Sequence, residues 1–435
     1  MKQKIAVFWF RRDLRLNDNT ALFHALKSGL PVLPVFIFDT KILEKLNSKN
    51  DARVAFIHAE ISKIKIELEK HGSSLKVLHD KPLDAFRKLT EEYQIEAVFT
   101  NRDYEPYAIQ RDKEVELFLK QKGIEFNTFK DHVIFEHNEV LKDDGTPYTV
   151  FTPYSKKWKQ KLGDFEIPDF PSQNYFDGFI KTKQFSLPEL QELGFEESKI
   201  KVPEYDISEK LIHSYADKRD LPALDATSKL GVHLRFGTIS IREATRKAMQ
   251  FSEVFLNELI WRNFFSTILR HFPHVENSAF KTKYDFIEWR NNEKEFELWC
   301  RGKTGYPMVD AGMRELNETG FMHNRVRMVT ASFLTKHLLI DWRWGEAYFA
   351  EKLLDFDLAS NNGNWQWAAG CGCDAAPYFR VFNPEAQQKK FDADAKYILK
   401  WLPEYGTLQY PQPIVDHKFA RERVLKAYRN AIEKN

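Results

Sequence analysis

The sequence predicts an α/β N-terminal domain with a parallel sheet, joined by a long linker to an all-α C-terminal domain. Three observations predict it. Up to about residue 122, short apolar runs of buried-strand length alternate with charged amphipathic segments. Periodicity then fades through a proline-punctuated stretch. From about 206 onward, apolar residues recur at helical spacing. With 435 residues, the chain can hold two or three domains and a sizeable core.

Strands are expected at IAVFWF (5–10), VLPVFIF (32–38), LKVLH (75–79) and EAVFT (96–100). Charged segments such as 51–70 and 105–122 supply the helices. That order implies βαβ crossovers, hence a Rossmann-like parallel sheet covered by helices over residues 1–130. No G-x-G-x-x-G follows the first strand; Arg11-Arg12-Asp13-Leu14-Arg15 occupies that loop, so a ligand there is not held in the usual dinucleotide manner. Residues 131–205 carry Pro147, Pro153, Pro168, Pro171, Pro188 and Pro203 and read as an ordered linker. Tyr148, Phe151, Tyr154 and Trp158 argue against free disorder there. Residues 206–435 form the helical domain. Leu256, Ile260, Phe264 and Ile268 step by four along 254–270, and 307–340 and 346–358 behave alike.

The net charge of +2 gives no bulk attraction to nucleic acid, so any DNA affinity must come from a local basic patch. Three cysteines, at 300, 371 and 373, are too few for a disulfide framework and suit a reducing cytoplasm. Cys371-Gly-Cys373 lacks the further ligands of a tetrahedral metal site, and packing is its expected role. The apolar run after Lys4 is shorter than a signal-peptide core, and no run approaches membrane-spanning length. The expectation is a cytoplasmic protein, nucleoid-associated in a bacterium, and a monomer.

Four stretches carry chemistry. Between Asp341 and Pro384, Trp342, Trp344, Trp365 and Trp367 are interleaved with Asp355, Asp357, Asn361, Asn362 and Asp374. Polar groups among large aromatics cost free energy unless something pairs with them. The competing reading of DLASNNGN is a helix C-terminus with Gly363 in the left-handed position. On 254–270, Glu258, Trp261 and Phe265 share one helix face with Arg262 beside them: an acid, a flat ring and a cation suited to a planar ligand. The competing reading there is a solvated Glu–Arg i, i+4 pair. In GFMHNRVRMVTASFL (320–334), Asn324, Arg327 and Met328 share a face and Arg325 points about 100° away, so one arginine can meet a buried anion while the other faces solvent. In LDATSKLGVHLRFG (224–237), Thr227 and Ser228 suit a helix cap, and such an end suits a diphosphate.

Together with FWFRRDLRLNDNTAL (8–22), GKTGYPMVDAGMREL, DAAPYFRVFNP and YPQPIVDH (410–417), these stretches closely resemble the photolyase/cryptochrome family over nearly the whole chain, and within it the class I cyclobutane pyrimidine dimer photolyases. The resemblance implies an α/β antenna domain, a connector and a helical domain holding FAD. It implies that light-excited FADH⁻ passes an electron to a pyrimidine dimer in DNA, the cyclobutane ring splits, and the electron returns; the hard chemistry is the cofactor's. Photolyases extrude their target base from the duplex. By matching motif, Tyr215, Thr227, Ser228, Lys229, Leu230 and Gly231 would line the FAD phosphates, with Gly231 where the family usually has Ser. Asp355, Phe356 and Asp357 would contact the flavin, Arg327 would pair with Asp355, and Asn361 would sit by flavin N5. Glu258, Trp261, Asn324, Met328, Trp367 and Gln387 would form the lesion pocket. Arg219, Arg262, Arg325 and Arg380 would contact DNA phosphates. Trp365, Trp342 and Trp289 would relay electrons to FAD.

The main alternative is a cryptochrome, a light-signalling protein of the same fold without repair. Asn324, where plant cryptochromes typically carry Asp, Trp367, and the absence of a long tail before Asn435 favour repair. The (6-4) photolyases are disfavoured because their paired His motif is absent at 323–324. A non-catalytic nucleotide-binding module would lack visible absorption. For an antenna chromophore, folate-binding relatives use a Glu matching Glu105, so methenyltetrahydrofolate is favoured. The partner Lys expected before Trp289 is not assignable to Lys281 or Lys283, and deazaflavin, flavin or no antenna stay open.

Overall fold

The structure, a computed structural model, describes residues 3–433. It divides into two compact units. One holds the chain up to Glu139, Lys159–Tyr205 and Lys229–Gln250; the other holds Val140–Trp158, Asp206–Ser228 and the chain from Phe251 onward. The break expected at 205 coincides with the change of unit between Tyr205 and Asp206; the one expected at 130 does not, since the first unit runs on to Glu139. The stretch 131–205 is shared between the units because its aromatics bury themselves: Tyr154 and Trp158 in the second, Phe176 and Phe179 in the first.

In the first unit, β1 (Lys4–Phe10), β2 (Val32–Asp39), β3 (Lys76–Asp80), β4 (Gln94–Asn101) and β5 (Glu125–Phe129) form one parallel sheet in the order β3-β2-β1-β4-β5. The central strand β1 pairs with β2, Ala6 opposite Val32, and with β4, Val7 opposite Val98. Its helices are α1 (Thr20–Leu26), α2 (Thr40–Leu43), α3 (Ala52–Lys70), α4 (Pro82–Glu92) and α5 (Pro106–Gln121). Alternate residues Ile5, Val7 and Trp9 of β1 and Leu33, Val35 and Ile37 of β2 pack against Ala85, Phe86 and Leu89 of α4 and Val115 and Leu119 of α5. The polar strand β5 (EFNTF) lies at the sheet edge and is mostly half-buried, which is why no apolar run announces it.

The loop after β1 binds protein rather than ligand. Arg11 reaches Asp112 and the Asn101 carbonyl. Arg12 donates to Asp103 and Glu105, both at 3.0 Å. Arg15 donates to Asp131 at 2.6 Å, and Arg242 donates to the same carboxylate at 2.9 Å. Asp131 is 1% exposed, and its two arginines hold its carboxyl well below the usual range against the opposing effect of burial.

The remaining helices are α6 (Phe151–Gly163), α7 (Glu209–Lys218), α8 (Leu230–Phe236), α9 (Ile241–Phe251), α10 (Glu253–His271), α11 (Glu293–Cys300), α12 (Pro307–Thr319), α13 (Asn324–Ser332), α14 (Trp342–Lys352), α15 (Leu358–Ala369), α16 (Pro384–Phe391), α17 (Lys396–Trp401) and α18 (His417–Glu433). The expected helix 307–340 breaks in two at Gly320, which adopts the left-handed conformation (φ 67°) and ends α12, and α13 runs on into a π-helical turn, Phe333–His337. The second unit's core gathers Trp299, Met313, Val326, Leu334, Trp342 and Trp365. No helix among the described residues is long and apolar enough to cross a membrane.

Candidate functional site

The Asp341–Pro384 stretch folds as two helices. Asp341 caps α14 through the Arg343 N–H at 3.0 Å, and Asp357 caps α15 through Ser360 N–H at 3.1 Å. Gly370, not Gly363, is the left-handed terminator (φ 83°), so the helix-end reading of DLASNNGN does not hold. Gly363 lies inside α15, where a Cβ would collide with the Phe265 ring of α10; a Cβ on Gly345 of α14 would collide with Trp365. These two glycines bring α15 close to both neighbours.

The polar residues of α15 separate into two groups. Asn362 and Gln366 are structural: both donate to the Val275 carbonyl, at 2.9 and 3.0 Å, and Gln366 accepts from Phe280 N–H at 2.8 Å. Asn361 differs. Its amide NH₂ donates to Glu346 twice, to the backbone carbonyl at 3.1 Å and to Oε1 at 2.8 Å, while its Oδ1 accepts no hydrogen bond among the described residues. A carboxylate accepts only, so Glu346 fixes which end of the amide is left over: the acceptor. Burial raises the Glu346 carboxyl above its ordinary pKa. Beside α15, Asp355 receives both nitrogens of Arg327, at 3.1 and 2.9 Å, and Arg327 Nε donates to the Met322 carbonyl at 2.7 Å. Phe356 packs against the same core.

On α10, Glu258 and Trp261 are half-buried. Glu258 pairs with Arg219, the residue that follows α7 as its C-cap. Burial raises the Glu258 carboxyl, opposed by the Arg219 charge. Tyr215 of α7 meets Phe255 edge-on at 5.0 Å, and Arg219 lies over its ring. Trp261 stacks with Phe265 at 5.4 Å, so Phe265 touches both Trp261 and the Gly363 backbone of α15.

Asn324 opens α13 exposed, 3.9 Å from Met328 Sδ, with His323 capping the helix through Arg325 N–H. Arg325 departs from the expectation that it faces solvent. Its guanidinium donates to Asp220 at 2.8 Å, lies 4.2 Å over Phe391, and is 17% exposed. Trp367 is half-buried near Phe382, Arg380 is exposed, and Gln387 lies on α16.

Trp342 and Trp365 are 2% exposed, and Trp289 packs partly buried on the same core. Trp365 meets Trp299 at 6.1 Å and Phe349 at 4.9 Å; Trp289 meets Tyr428 at 6.1 Å; Arg343 covers Trp342 at 4.7 Å.

Two expectations fare differently. Thr227 and Ser228 do not cap a helix: α8 begins at Leu230, and its cap is Lys229 in the left-handed conformation (φ 54°), without a side-chain cap bond. Thr227 and Ser228 belong to the second unit, while Lys229, Leu230 and Gly231 belong to the first. Glu105 accepts from Arg12 at 3.0 Å and from Arg235 at 2.6 Å, so its carboxylate is already neutralised by two guanidinium groups. Glu346, Asn257 and Asp220 escaped the sequence reading, which took Phe151 only as a sign of order. Glu346 and Asn257 lie in segments already read as helical, without a local mark of their own.

The side chains present suit a flavin dinucleotide. The bare Asn361 acceptor suits a reduced ring's N–H, and Asn257 Oδ1 is buried without a hydrogen-bond partner among the described residues, as a group open to a polar ligand is. Residues 6–173 match the family model described as DNA photolyase, and residues 255–409 match that described as FAD binding domain of DNA photolyase. The deoxyribodipyrimidine photo-lyase of Synechococcus sp. is 36% identical, covering 98% of this chain and 96% of the relative. Among solved structures, a bacterial class III photolyase from Agrobacterium tumefaciens superposes with a TM-score of 0.88 at 34% identity, covering 100% of this chain and 99% of that one. An archaeal photolyase from Sulfolobus tokodaii with two FAD molecules gives 0.84 at 36%, and a Synechocystis cryptochrome gives 0.85 at 26%, each covering 98% of this chain and 99% of its own. An α/β unit on a five-stranded parallel sheet, a helical FAD-binding domain and relatives matched over nearly their full length place this chain in the DNA photolyase family.

Proposed function

We propose that this chain repairs cyclobutane pyrimidine dimers in DNA by light-driven electron transfer from bound, reduced FAD. The observation that carries the reading is the single ring of Phe265, which touches Trp261 on one side and the α15 backbone two residues from Asn361 on the other. It puts a stacking wall for a flipped base next to the helix whose amide suits a reduced flavin. Bound and reduced, FAD supplies on blue-light absorption the electron that opens the cyclobutane ring.

The chain's own residues bind and orient. The Asn361 carbonyl would offer an acceptor to a reduced ring's N–H, and the Arg327–Asp355 pair would fix the segment 355–357 that faces the flavin. Tyr215, Thr227 and Ser228 would serve the phosphates. Trp261 and Trp367 stack on the splayed pyrimidines, Met328 and Gln387 complete the wall, and Glu258 and Asn324 hydrogen-bond the base edges. Arg219, Arg262, Arg325 and Arg380 meet phosphates. Arg219 and Arg325 begin in ion pairs with Glu258 and Asp220, and a phosphate that draws Arg219 away leaves Glu258 for the base. Trp365, Trp342 and Trp289 supply electrons when the flavin is oxidised.

An antenna, where one is carried, fits a phosphate-bearing chromophore better than folate on Glu105. An open cavity of about 590 Å³ beyond the carboxyl ends of β2 and β3 is lined by the basic Lys41, Lys45, Lys81 and Arg111 and by the acidic Glu44, Asp84 and Glu114, with Tyr107 among them. Asn324 and Trp367 favour repair over cryptochrome signalling. The test is to irradiate the reduced protein with a dimer-containing oligonucleotide in blue light. Repair lowers the dimer content; a photoreceptor without repair would absorb the light and leave every dimer in place.

A further inference from the structure

Phe151, at the start of α6, lies face to face with Trp261: the ring centroids are 3.6 Å apart and the planes 3° from parallel. Its own position is fixed two ways. Its backbone N–H donates to Asp374 Oδ2 at 3.0 Å. Its ring meets Phe264 edge-on at 5.9 Å. Phe264 is fully buried and is held in turn by the fully buried Tyr154 at 5.1 Å. Trp261 remains half-buried. Phe151 covers one face of Trp261 in parallel overlap, while Phe265, inclined at 29° and 5.4 Å away, and Phe264, edge-on at 5.7 Å, hold the indole further in one plane.

We propose that Phe151 is a further lesion-positioning residue: it holds Trp261 in the orientation that stacks on a flipped pyrimidine and closes the indole's other face to a second base. This rests on the repair reading above. The physical reason is preorganisation. A tryptophan free to rotate loses side-chain entropy when a base stacks on it, and a backed one has lost it already; the difference is worth about a 2- to 12-fold change in affinity. Asp374 acts through Phe151 by tying down its backbone, which gives that carboxylate a role the rest of the site does not.

The experiment compares Phe151→Leu, Phe151→Tyr and Asp374→Ala with the wild type. It measures affinity for an oligonucleotide containing one thymine dimer, affinity for the same oligonucleotide undamaged, photoreduction rate of the bound flavin, and melting temperature. Phe151→Leu weakens dimer binding about 2- to 12-fold, while undamaged DNA and photoreduction stay within about twofold of wild type. Phe151→Tyr, which keeps the stack, restores dimer binding. Asp374→Ala, with both rings retained, loses dimer affinity in the same direction by less. The proposal is overturned if Phe151→Leu binds the dimer as well as or better than wild type, or loses both DNAs equally. Should Phe151→Leu fail to fold, unchanged dimer affinity in Asp374→Ala overturns it. A wild type that does not prefer the dimer sinks the repair reading itself, which separates the two failures.

Discussion

Asn361 acquires a direction from Glu346. With its NH₂ held by a carboxylate and a carbonyl, its oxygen is the only end left for a ligand. Glu346→Leu removes the carboxylate and leaves the backbone acceptor, so the amide can turn. The bound flavin then favours its oxidised form by up to about tenfold, since a hydrogen bond nets roughly 1 kcal/mol; a redox titration reads the shift, and an unchanged potential contradicts the assignment. The tryptophans divide by role in the same way. Trp289→Phe greatly slows photoreduction from the oxidised state but leaves repair intact once the flavin is chemically reduced. Trp367→Ala does the reverse and weakens dimer binding roughly 5- to 150-fold, the worth of one base stack. Proportional loss of both functions with folded protein would mean that all are merely core residues. Lys336 sets a pH dependence. It is 1% exposed, donates to the Ala369 carbonyl at 2.7 Å, and burial brings its pKa down to about 7 from 10.5. Below pH 7 both folded and unfolded chains carry the proton, and the cost of burying the charge stands in full. Between about 7 and 10.5 the unfolded chain binds more protons, so stability rises with pH. Lys336→Met flattens that rise in melting temperature; a rise of the same size in the variant would assign it elsewhere.

At the scale of elements, α13 shows what helical spacing can and cannot say. Its geometry separates Arg327 from Arg325 and brings Arg327 to Asp355, but Asp220 and Phe391, which take Arg325 out of solvent, come from distant stretches. Arg325 still serves DNA in this account. Four phosphate-contacting arginines give a log–log salt slope of roughly −3 to −4 on duplex DNA. Arg325→Ala flattens it by about one unit and weakens damaged and undamaged DNA alike. A slope unchanged by the substitution places the phosphate contact elsewhere. The buried strands β1, β2 and β4 are legible as continuous apolar runs and the helix α10 by its helical period. Strand β5 and the cap of α8 are not, since an edge strand needs no apolar run and Lys229 is an uncommon left-handed cap.

At the scale of the molecule, the sequence order of α/β first and helices after is visible in composition and period, whereas the grouping of 140–158 with the helical unit and 229–250 with the sheet unit is not. The first membership is decided by where Tyr154 and Trp158 find partners, Thr267 and Asn263, more than 100 residues away, and the second by Arg242, which donates to Asp18 and Asp131. The residues of the proposed site are legible only as motifs. Their supports, Glu346 behind Asn361 and Phe151 behind Trp261, are set by tertiary contact. The central claim concerns the assembled protein, and one measurement tests it most directly: the number of dimers lost from a dimer-containing oligonucleotide per bound, chemically reduced flavin, under continuous blue light and in darkness. The account predicts many dimers lost per flavin in the light, because the electron returns after each opening, and none in the dark. Equal loss in light and dark, or no loss in the light with the flavin reduced and the DNA bound, contradicts it.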